Sequence, residues 1–99
     1  MSLGDTDIKP AESAWVLAVD PAAERALKKL DRIAATRIRR VLVAVAASGD
    51  PRSRGRGLTG NRSGMWRYRV GDYRIIVDIQ DDRLVVLALE IGHRSAVYA

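Results

Sequence analysis

The sequence predicts an α+β fold in which two N-terminal helices pack on one face of a small, mostly antiparallel, four-stranded sheet, in the order β-α-α-β-β-β. Two observations carry this prediction. Residues 20–48 are rich in Ala, Leu, Arg and Lys, and their apolar residues recur at helical spacing. Residues 66–91 are rich in Val, Ile and Tyr, alternate as strands do, and are interrupted by short polar turns.

Composition limits the class of protein. The chain has 99 residues, which suits one domain, and 47% of them are hydrophobic. We expect residues 15–99 to form that domain and the polar residues 1–14 to be a flexible arm. With 17 Lys and Arg against 12 Asp and Glu, the net charge of +5 favours an anionic partner, either nucleic acid or an acidic protein.

Several chemistries are disfavoured by the residues present. The chain has no cysteine, which excludes thiol catalysis and disulfides and fits a reducing cytoplasm. Because His93 is the only histidine, a histidine-based metal site is not expected, and we predict neither a metal nor a cofactor. No apolar run approaches the ~20 residues of a membrane span and no signal peptide is evident, so we expect a cytoplasmic protein with no membrane partner.

The N-terminal half is expected to form one strand and two helices. Trp15–Val19 is a short apolar run, typical of a buried strand, and Asp20 with Pro21 suits the start of a helix. A single helix of about 28 residues would be about 42 Å long. We therefore predict a break near residues 31–35, with Asp31 capping the second helix and Gly49 closing it. The expected apolar stripes are Ala26, Leu27, Leu30, Ile33 and Ala34, then Ile38, Val41, Leu42, Val45 and Ala46.

Residues 66–79 are expected to form a β-hairpin. The two-residue turn Gly71-Asp72 suits a positive φ at its first position and would pair Arg69 with Arg74. Arg67 then shares a face with these two arginines, and that face is turned away from the core. The opposite, core-facing set is expected to be Trp66, Tyr68, Val70, Tyr73, Ile75, Val77 and Ile79.

Two arginines directly opposite each other destabilise a sheet unless something anionic lies on them. Guanidinium groups suit phosphate because their planar donors bind it in pairs. Arg67, Arg69 and Arg74 are therefore candidates for a phosphate site. A solvated basic surface, with Asp78 and Glu90 as ion-pair partners, is the alternative explanation.

The remaining segments complete the predicted sheet. Residues 52–64 are expected to be a glycine-rich basic loop without a phosphate-loop pattern. After a three-residue turn at 81–83, the last strand, Leu84–Ile91, would place Glu90 opposite Arg74, a favourable pair. In that register the core-facing residues of the strand are Val85, Leu87, Leu89 and Ile91.

Three stretches together resemble a known family. They are Trp66-Arg-Tyr-Arg-Val-Gly-Asp-Tyr-Arg-Ile-Ile, Ile91-Gly-His-Arg-Ser-Ala-Val-Tyr, and the Leu58-Thr-Gly step before the hairpin. With the predicted order of elements, they resemble the RelE/ParE superfamily of type II toxin–antitoxin toxins, on the RelE side. The resemblance extends over about Trp15 to Tyr98.

The resemblance implies a ribosome-dependent endoribonuclease, an mRNA interferase, which cuts translated mRNA in the ribosomal A site. It also implies an acidic, partly disordered, RelB-like antitoxin as partner. The RNA 2′-OH would attack the adjacent phosphorus, and arginines would stabilise the charge that develops on the phosphate. The family's basic positions match Arg67, Arg69 and Arg74. Arg94 matches a residue on the leaving-group side, and Tyr98 one that stacks on a base.

The general acid and base are harder to assign. Arginine is a poor proton shuttle because its pKa lies above 12. His93 titrates near neutral pH, so it is the candidate general acid or base; a turn residue at a strand end is the other interpretation. The loop arginines are candidates for binding RNA or the ribosome, or the antitoxin. They are Arg52, Arg54, Arg56 and Arg62.

Two other functions remain compatible with the sequence. ParE-like toxins share the expected fold and inhibit DNA gyrase. A basic module that binds RNA or an antitoxin without catalysis is the second alternative. The combination of Arg67, Arg69, Arg74, Arg94 and Tyr98 favours the RNase.

Overall fold

The structure, a computed structural model, describes residues 15–93. The predicted arm, residues 1–14, therefore lies outside the described residues, as do Arg94 and Tyr98. The elements, in chain order, are β1 (Val16–Val19), α1 (Pro21–Lys29), α2 (Arg32–Ala47), β2 (Arg56–Gly57), a 3₁₀ turn (Gly60–Arg62), β3 (Trp66–Val70), β4 (Tyr73–Gln80) and β5 (Val85–His93).

The strands form one mixed sheet in the order β1-β5-β4-β3-β2, with β1 parallel to β5 and every other pair antiparallel. The predicted α+β fold is confirmed, but the sheet has five strands rather than four. The additional strand is Arg56–Gly57, which lies inside the segment expected to be a loop. It pairs with Arg67 and Trp66 of β3. A strand of two residues has no alternation from which a sequence could predict it.

The helices begin where the sequence predicts. The Asp20 carboxylate accepts a hydrogen bond from the Ala22 N–H at 2.9 Å, and Asp31 accepts one from Ala34 at the same distance. The break at Asp31 is confirmed, because α1 ends at Lys29 and α2 starts at Arg32. The break divides the helical segment into two shorter helices, and both lie against the sheet.

The core lies between the helices and one face of the sheet. The predicted stripe of α2 is buried except at Val41, which is partly buried, and the stripe assigned to α1 is wrong at Ile33, which is 74% exposed. The break restarts the helix at Arg32, so Ile33 lies in a first turn that the α1 periodicity does not describe. The buried residues of the core cluster are Ala23, Leu27, Ile38, Leu42, Val45, Tyr68, Val70, Ile75, Val77, Ile79, Val86 and Ala88.

The last strand differs from its prediction. Ile76 pairs with Glu90 while the next residue, Val77, pairs with Ala88, so one residue, Leu89, is left over as a β-bulge. Before the bulge, the residues that face the core are Val86 and Ala88, both 0% exposed. The register predicted for Val85, Leu87 and Leu89 is therefore wrong. The loop before the strand also holds four residues, 81–84, rather than three.

The segment from Gly49 to Arg54 is held against the sheet by three aromatic donors. Trp15 Nε1 donates to the Gly49 carbonyl at 3.2 Å, Trp66 Nε1 donates to the Arg54 carbonyl at 2.7 Å, and the Tyr68 hydroxyl donates to the Pro51 carbonyl. Each aromatic ring thus packs in or beside the core while its polar atom satisfies a backbone oxygen of the segment.

Arg52 adds an ionic anchor to the same segment. Its guanidinium donates two hydrogen bonds to the Asp81 carboxylate, both 2.9 Å long, and lies 6.0 Å from the Trp66 ring centre. These hydrogen bonds hold the pKa of Asp81 below its ordinary value. The segment is therefore tied both to β3 and to the turn between β4 and β5.

Gly55 follows this segment with φ of 86° and lies directly against β3. A Cβ at this position would lie 2.7 Å from Trp66 Nε1 and 2.9 Å from Tyr68 Cδ1, and would also meet the Arg67 carbonyl oxygen. Both its backbone conformation and its contacts therefore require glycine.

We expect Gly55→Ala to lower the free energy of unfolding by at least about 3 kcal/mol, because it combines a left-handed backbone with a clash against backbone atoms. The matched control is Gly49→Ala. Gly49 has φ of 78° but nothing within 4 Å of its Cβ position, so only the conformational cost of about 1 kcal/mol applies. Urea denaturation of both variants checks this; equal losses would contradict the close packing of Gly55 on β3.

Burial raises the pKa of the Tyr68 phenol to about 12. Because the unfolded chain releases this proton near its ordinary pKa of 10.0, the stability that the neutral phenol supplies is present below about pH 10 and is lost as the pH rises towards 12. We expect Tyr68→Phe to lose about 1–2 kcal/mol at neutral pH, because the Pro51 carbonyl loses its donor. The stability gap between wild type and variant should then shrink as the pH rises from about 10 to about 12 in urea titrations; a constant gap would contradict the raised pKa.

Candidate anion-binding site

The register of β2, β3 and β4 brings four arginines onto one side of the sheet. Arg56 lies directly opposite Arg67, and Arg69 lies directly opposite Arg74. Arg67 and Arg69 flank Tyr68, which is 1% exposed in the core. The four arginines therefore project from the face turned away from the helices, and we call Arg56, Arg67, Arg69 and Arg74 the arginine face.

The pairings of Arg67, Arg69 and Arg74 agree with the sequence prediction. Arg56 was assigned only to the basic loop, and it joins the face because the two-residue strand β2 pairs with β3. The signal that could have found it is its neighbour Gly55, because a glycine between arginines indicates close approach to another backbone.

The arginine face has a buried floor and an exposed rim. Arg74 is 6% exposed and Ile76, on the same side of β4, is 2% exposed, so this face is not uniformly open to solvent. Arg56 and Arg69 are exposed, and Arg67 is intermediate. Gly92, which has no side chain, lies opposite Arg74 on β5. The accessible guanidinium groups of Arg56 and Arg69 thus border the buried side chain of Arg74.

The carboxylates expected to neutralise this face have other partners. Glu90 does not lie opposite Arg74 as predicted. The four-residue loop at 81–84 and the bulge at Leu89 each shift the register by one residue, and together they place Glu90 opposite Ile76. Glu90 instead forms an ion pair with Arg62, 2.6 Å between Nη2 and Oε2. Asp78 accepts a hydrogen bond from the Gln80 amide at 2.9 Å.

Among residues 15–93, the exposed members of the arginine face lack an acidic partner. Within residues 15–93, Arg56 and Arg69 have no carboxylate oxygen within 4.0 Å. Arg69 nevertheless lies opposite another arginine, a pairing that a sheet tolerates poorly without a counter-ion. The arrangement can therefore bind an anion and stabilise negative charge that develops on it.

The other predicted site residues do not gather here. His93 pairs with Tyr73 at the end of β5, and their rings meet edge to face with centres 6.0 Å apart. Since Tyr73 lies on the helix side of the sheet, His93 is on the side opposite the arginine face. Of the loop arginines, Arg52 is tied to Asp81 and Arg62 to Glu90.

Within the described range 15–93, no three His, Asp or Glu side chains converge into a group that could hold a metal ion. None of the helices described there is both long and apolar enough to cross a membrane. The groups that could act chemically at the arginine face are therefore its positioned guanidinium groups.

Comparison with known proteins places the chain in a group of small toxins. A family model described as the ParE toxin of the type II toxin–antitoxin system parDE matches residues 17–98. A search of curated protein sequences finds no significant match.

Solved structures of such toxins share the fold. The toxin–antitoxin complex RelBE2 from Mycobacterium tuberculosis matches with 28% identity and a TM-score of 0.64, covering 82% of this chain and 92% of that one. The isolated RelE toxin from E. coli matches with 26% identity and a TM-score of 0.68, covering 85% and 90%. A YoeB/ParE toxin from Agrobacterium tumefaciens, 12% identical with a TM-score of 0.65 over 78% and 95% of the two chains, agrees in fold.

Proposed function

Because the chain belongs to the ParE toxin family of type II toxin–antitoxin systems, we propose that it is a toxin that cuts RNA. In this proposal the arginine face binds the phosphate group that is cleaved. The chain acts as an mRNA interferase, a ribosome-dependent endoribonuclease in the cytoplasm that cuts translated mRNA in the ribosomal A site.

The observation that carries the proposal is the placement of Arg69 opposite Arg74 while the nearby carboxylates bind other groups. A merely solvated basic surface would give Arg69 an acidic partner, and none lies within 4.0 Å of it among residues 15–93. A phosphate between the guanidinium groups would instead turn their mutual repulsion into attraction. The likeness to the isolated RelE toxin from E. coli agrees with the family resemblance that implies an RNase.

The chemistry needs few groups. The 2′-oxygen of the RNA attacks the adjacent phosphorus and loses its proton, while the bond from phosphorus to the 5′-oxygen breaks and that oxygen takes up a proton. The products are a 2′,3′-cyclic phosphate and a free 5′-OH. Arg67, Arg69 and Arg74 would stabilise the charge on the non-bridging oxygens. From the family resemblance, Arg94 would act on the leaving-group side and Tyr98 would stack on a base.

The proposed function also implies which partners the chain binds. The RelBE2 complex of Mycobacterium tuberculosis pairs a related toxin with an antitoxin, and this chain would likewise be held inactive by a cognate, acidic antitoxin. Arg54 and Arg56 are exposed and suit contacts with ribosomal RNA. Arg52 and Arg62 are less available for such contacts because each already binds a carboxylate.

Gyrase inhibition is the second candidate function. The family model that matches is that of the ParE toxin, and ParE-like toxins are expected to inhibit gyrase on the same fold. The two functions differ in whether they need the arginine face. Cleavage of RNA requires these arginines to bind the phosphate, whereas inhibition of gyrase does not.

We expect Arg69→Ala to lower RNA cutting by about 10²-fold or more, because one donor to the developing charge is lost. Arg69 is exposed, so the fold should be kept. The measurement is primer extension on a reporter message after induction in a bacterium. Arg25→Ala, at an exposed position of α1, is the matched control and should cut like wild type. Growth arrest by the wild type without cuts inside codons would favour gyrase instead.

We expect His93→Ala to cut at nearly the wild-type rate, because His93 lies on the sheet side opposite Arg69 and Arg74. A general acid or base contributes roughly 10²–10⁴-fold to a rate. Single-turnover cleavage by purified protein on programmed ribosomes, measured across neutral pH, distinguishes the two outcomes. A loss in that range would restore His93 as the general acid or base and would require the RNA to reach around the edge of the sheet.

A further inference from the structure

Glu90 lies on the same side of the sheet as the arginine face. It pairs with Ile76 of β4, and the two neighbours of Ile76 along that strand, Ile75 and Val77, belong to the core. Because side chains alternate along a strand, Ile76 points away from the helices, as Arg74 does two residues earlier. Residues directly opposite each other in a sheet share a face, so the Glu90 carboxylate lies beside the guanidinium groups.

The spacing of the strands sets the distance from Glu90 to the arginines. Adjacent strands lie about 4.8 Å apart, so the Cα atoms of Glu90 and Arg67, on either side of Ile76, are about 10 Å apart. Arg74 lies diagonally from Glu90, a separation of about 7–8 Å that long side chains bridge. A phosphate bound by the guanidinium groups can therefore have its neighbouring ribose 2′-oxygen within reach of the carboxylate.

An ion pair with Arg62 fixes the position of the Glu90 carboxylate. Arg62 Nη2 lies 2.6 Å from Glu90 Oε2, and the two side chains are 41% and 45% exposed. Arg62 ends the 3₁₀ turn that leads into β3, and β4 lies between β3 and β5, so the Arg62 side chain extends over β4. An ion pair this exposed adds little to stability. It orients the carboxylate, as a third group orients the base of a catalytic triad.

The proposed cleavage needs a group that accepts the proton of the 2′-hydroxyl. Arginine cannot accept it because its side chain stays protonated, and His93 lies on the opposite side of the sheet. Among the described strand residues, Asp78 and Glu90 are the two carboxylates. Asp78 lies four residues from Arg74 along β4, roughly 13 Å away, and accepts a hydrogen bond from Gln80. Glu90 is therefore the strand carboxylate nearer to the proposed phosphate site.

We propose that Glu90 is the general base of the RNA cleavage and that Arg62 is its positioning residue. This rests on the proposed function, which supplies the reaction. The 2′-O–H bond breaks as its proton passes to a carboxylate oxygen of Glu90, and the 2′-oxygen forms its bond to phosphorus. The bond from phosphorus to the 5′-oxygen breaks, and that oxygen takes a proton from water. Glu90 then returns its proton to water.

A structural role for Glu90 predicts the opposite effect of removing its charge. A carboxylate beside a phosphate site repels the phosphate, so neutralising a carboxylate that has only a structural role should leave cleavage as fast or faster and binding as tight or tighter. Neutralising a general base should slow the cleavage step while binding stays as tight or becomes tighter. The rate at saturation therefore distinguishes the two roles.

The first experiment compares two isosteric variants on the same side of the sheet. Glu90→Gln removes the proposed base, and Asp78→Asn, which removes the same charge farther from Arg74, is the matched control. Single-turnover cleavage on programmed ribosomes at saturating protein gives the rate, and its concentration dependence gives the affinity. We expect the Glu90→Gln rate to fall about 10²-fold or more and the Asp78→Asn rate to stay within about twofold of wild type. Circular dichroism checks that both variants are folded.

Two further variants separate the base from its ion pair. Arg62→Gln keeps the carboxylate and removes its partner, so the cleavage rate should fall by less than about tenfold. Glu90→Ala leaves space for a small carboxylate. Added formate should therefore restore part of the cleavage rate of this variant, whereas chloride at the same concentration should not.

The outcomes separate this proposal from the proposed function. Cleavage by Glu90→Gln at the wild-type rate would overturn the role of Glu90 and leave the RNase itself intact. Equal losses in Arg62→Gln and Glu90→Gln, with no restoration of Glu90→Ala by formate, would also overturn it, because only the ion pair would then matter. A wild-type chain that cuts no RNA in this assay would instead contradict the proposed function, and the role of Glu90 with it.

Discussion

The structure depends on the close contact between β3 and the segment that precedes β2. Gly55 can lie on β3 only because it has no side chain, and the indole and hydroxyl donors of Trp66 and Tyr68 hold the backbone on either side of it. This contact decides where the neighbouring arginines go. Arg56 is carried into the sheet opposite Arg67, and Arg54 is left exposed beside Arg40 of α2.

Like charges directly opposite each other destabilise a sheet, and Arg69 opposite Arg74 is such a pair. A domain of this size has a total stability of about 5–15 kcal/mol, so a repulsion of even about 1 kcal/mol matters. The four-residue loop at 81–84 and the bulge at Leu89 together shift Glu90 by two residues, from Arg74 to Ile76, and there it pairs with Arg62. Ion pairs within the protein therefore leave the exposed arginines available to an anion.

The parts of the fold that the sequence predicts are those set by local rules. A two-residue turn and strict alternation determine the pairing of Arg69 with Arg74, and a capping aspartate marks the break between the helices. The parts that it does not predict are set by contacts distant in the chain. Leu89 bulges without a glycine or proline to mark it, and β2 is too short to show a period. The assignment of Arg56 to the loop rather than to the arginine face follows from the shortness of β2. The wrong partner for Glu90 follows from the bulge together with the four-residue loop at 81–84.

Strand β3 takes part in two surfaces because its side chains alternate. Arg69 points to the arginine face, and Val70, the next residue, points to the helix side and packs in the core. Because successive residues of a strand point in opposite directions, the two faces can change independently in sequence while they share one backbone. A displacement of β3, however, would move Arg67 and Arg69 together with the core residues Tyr68 and Val70. The positions of these arginines therefore depend on the packing of the core on the other side of the strand.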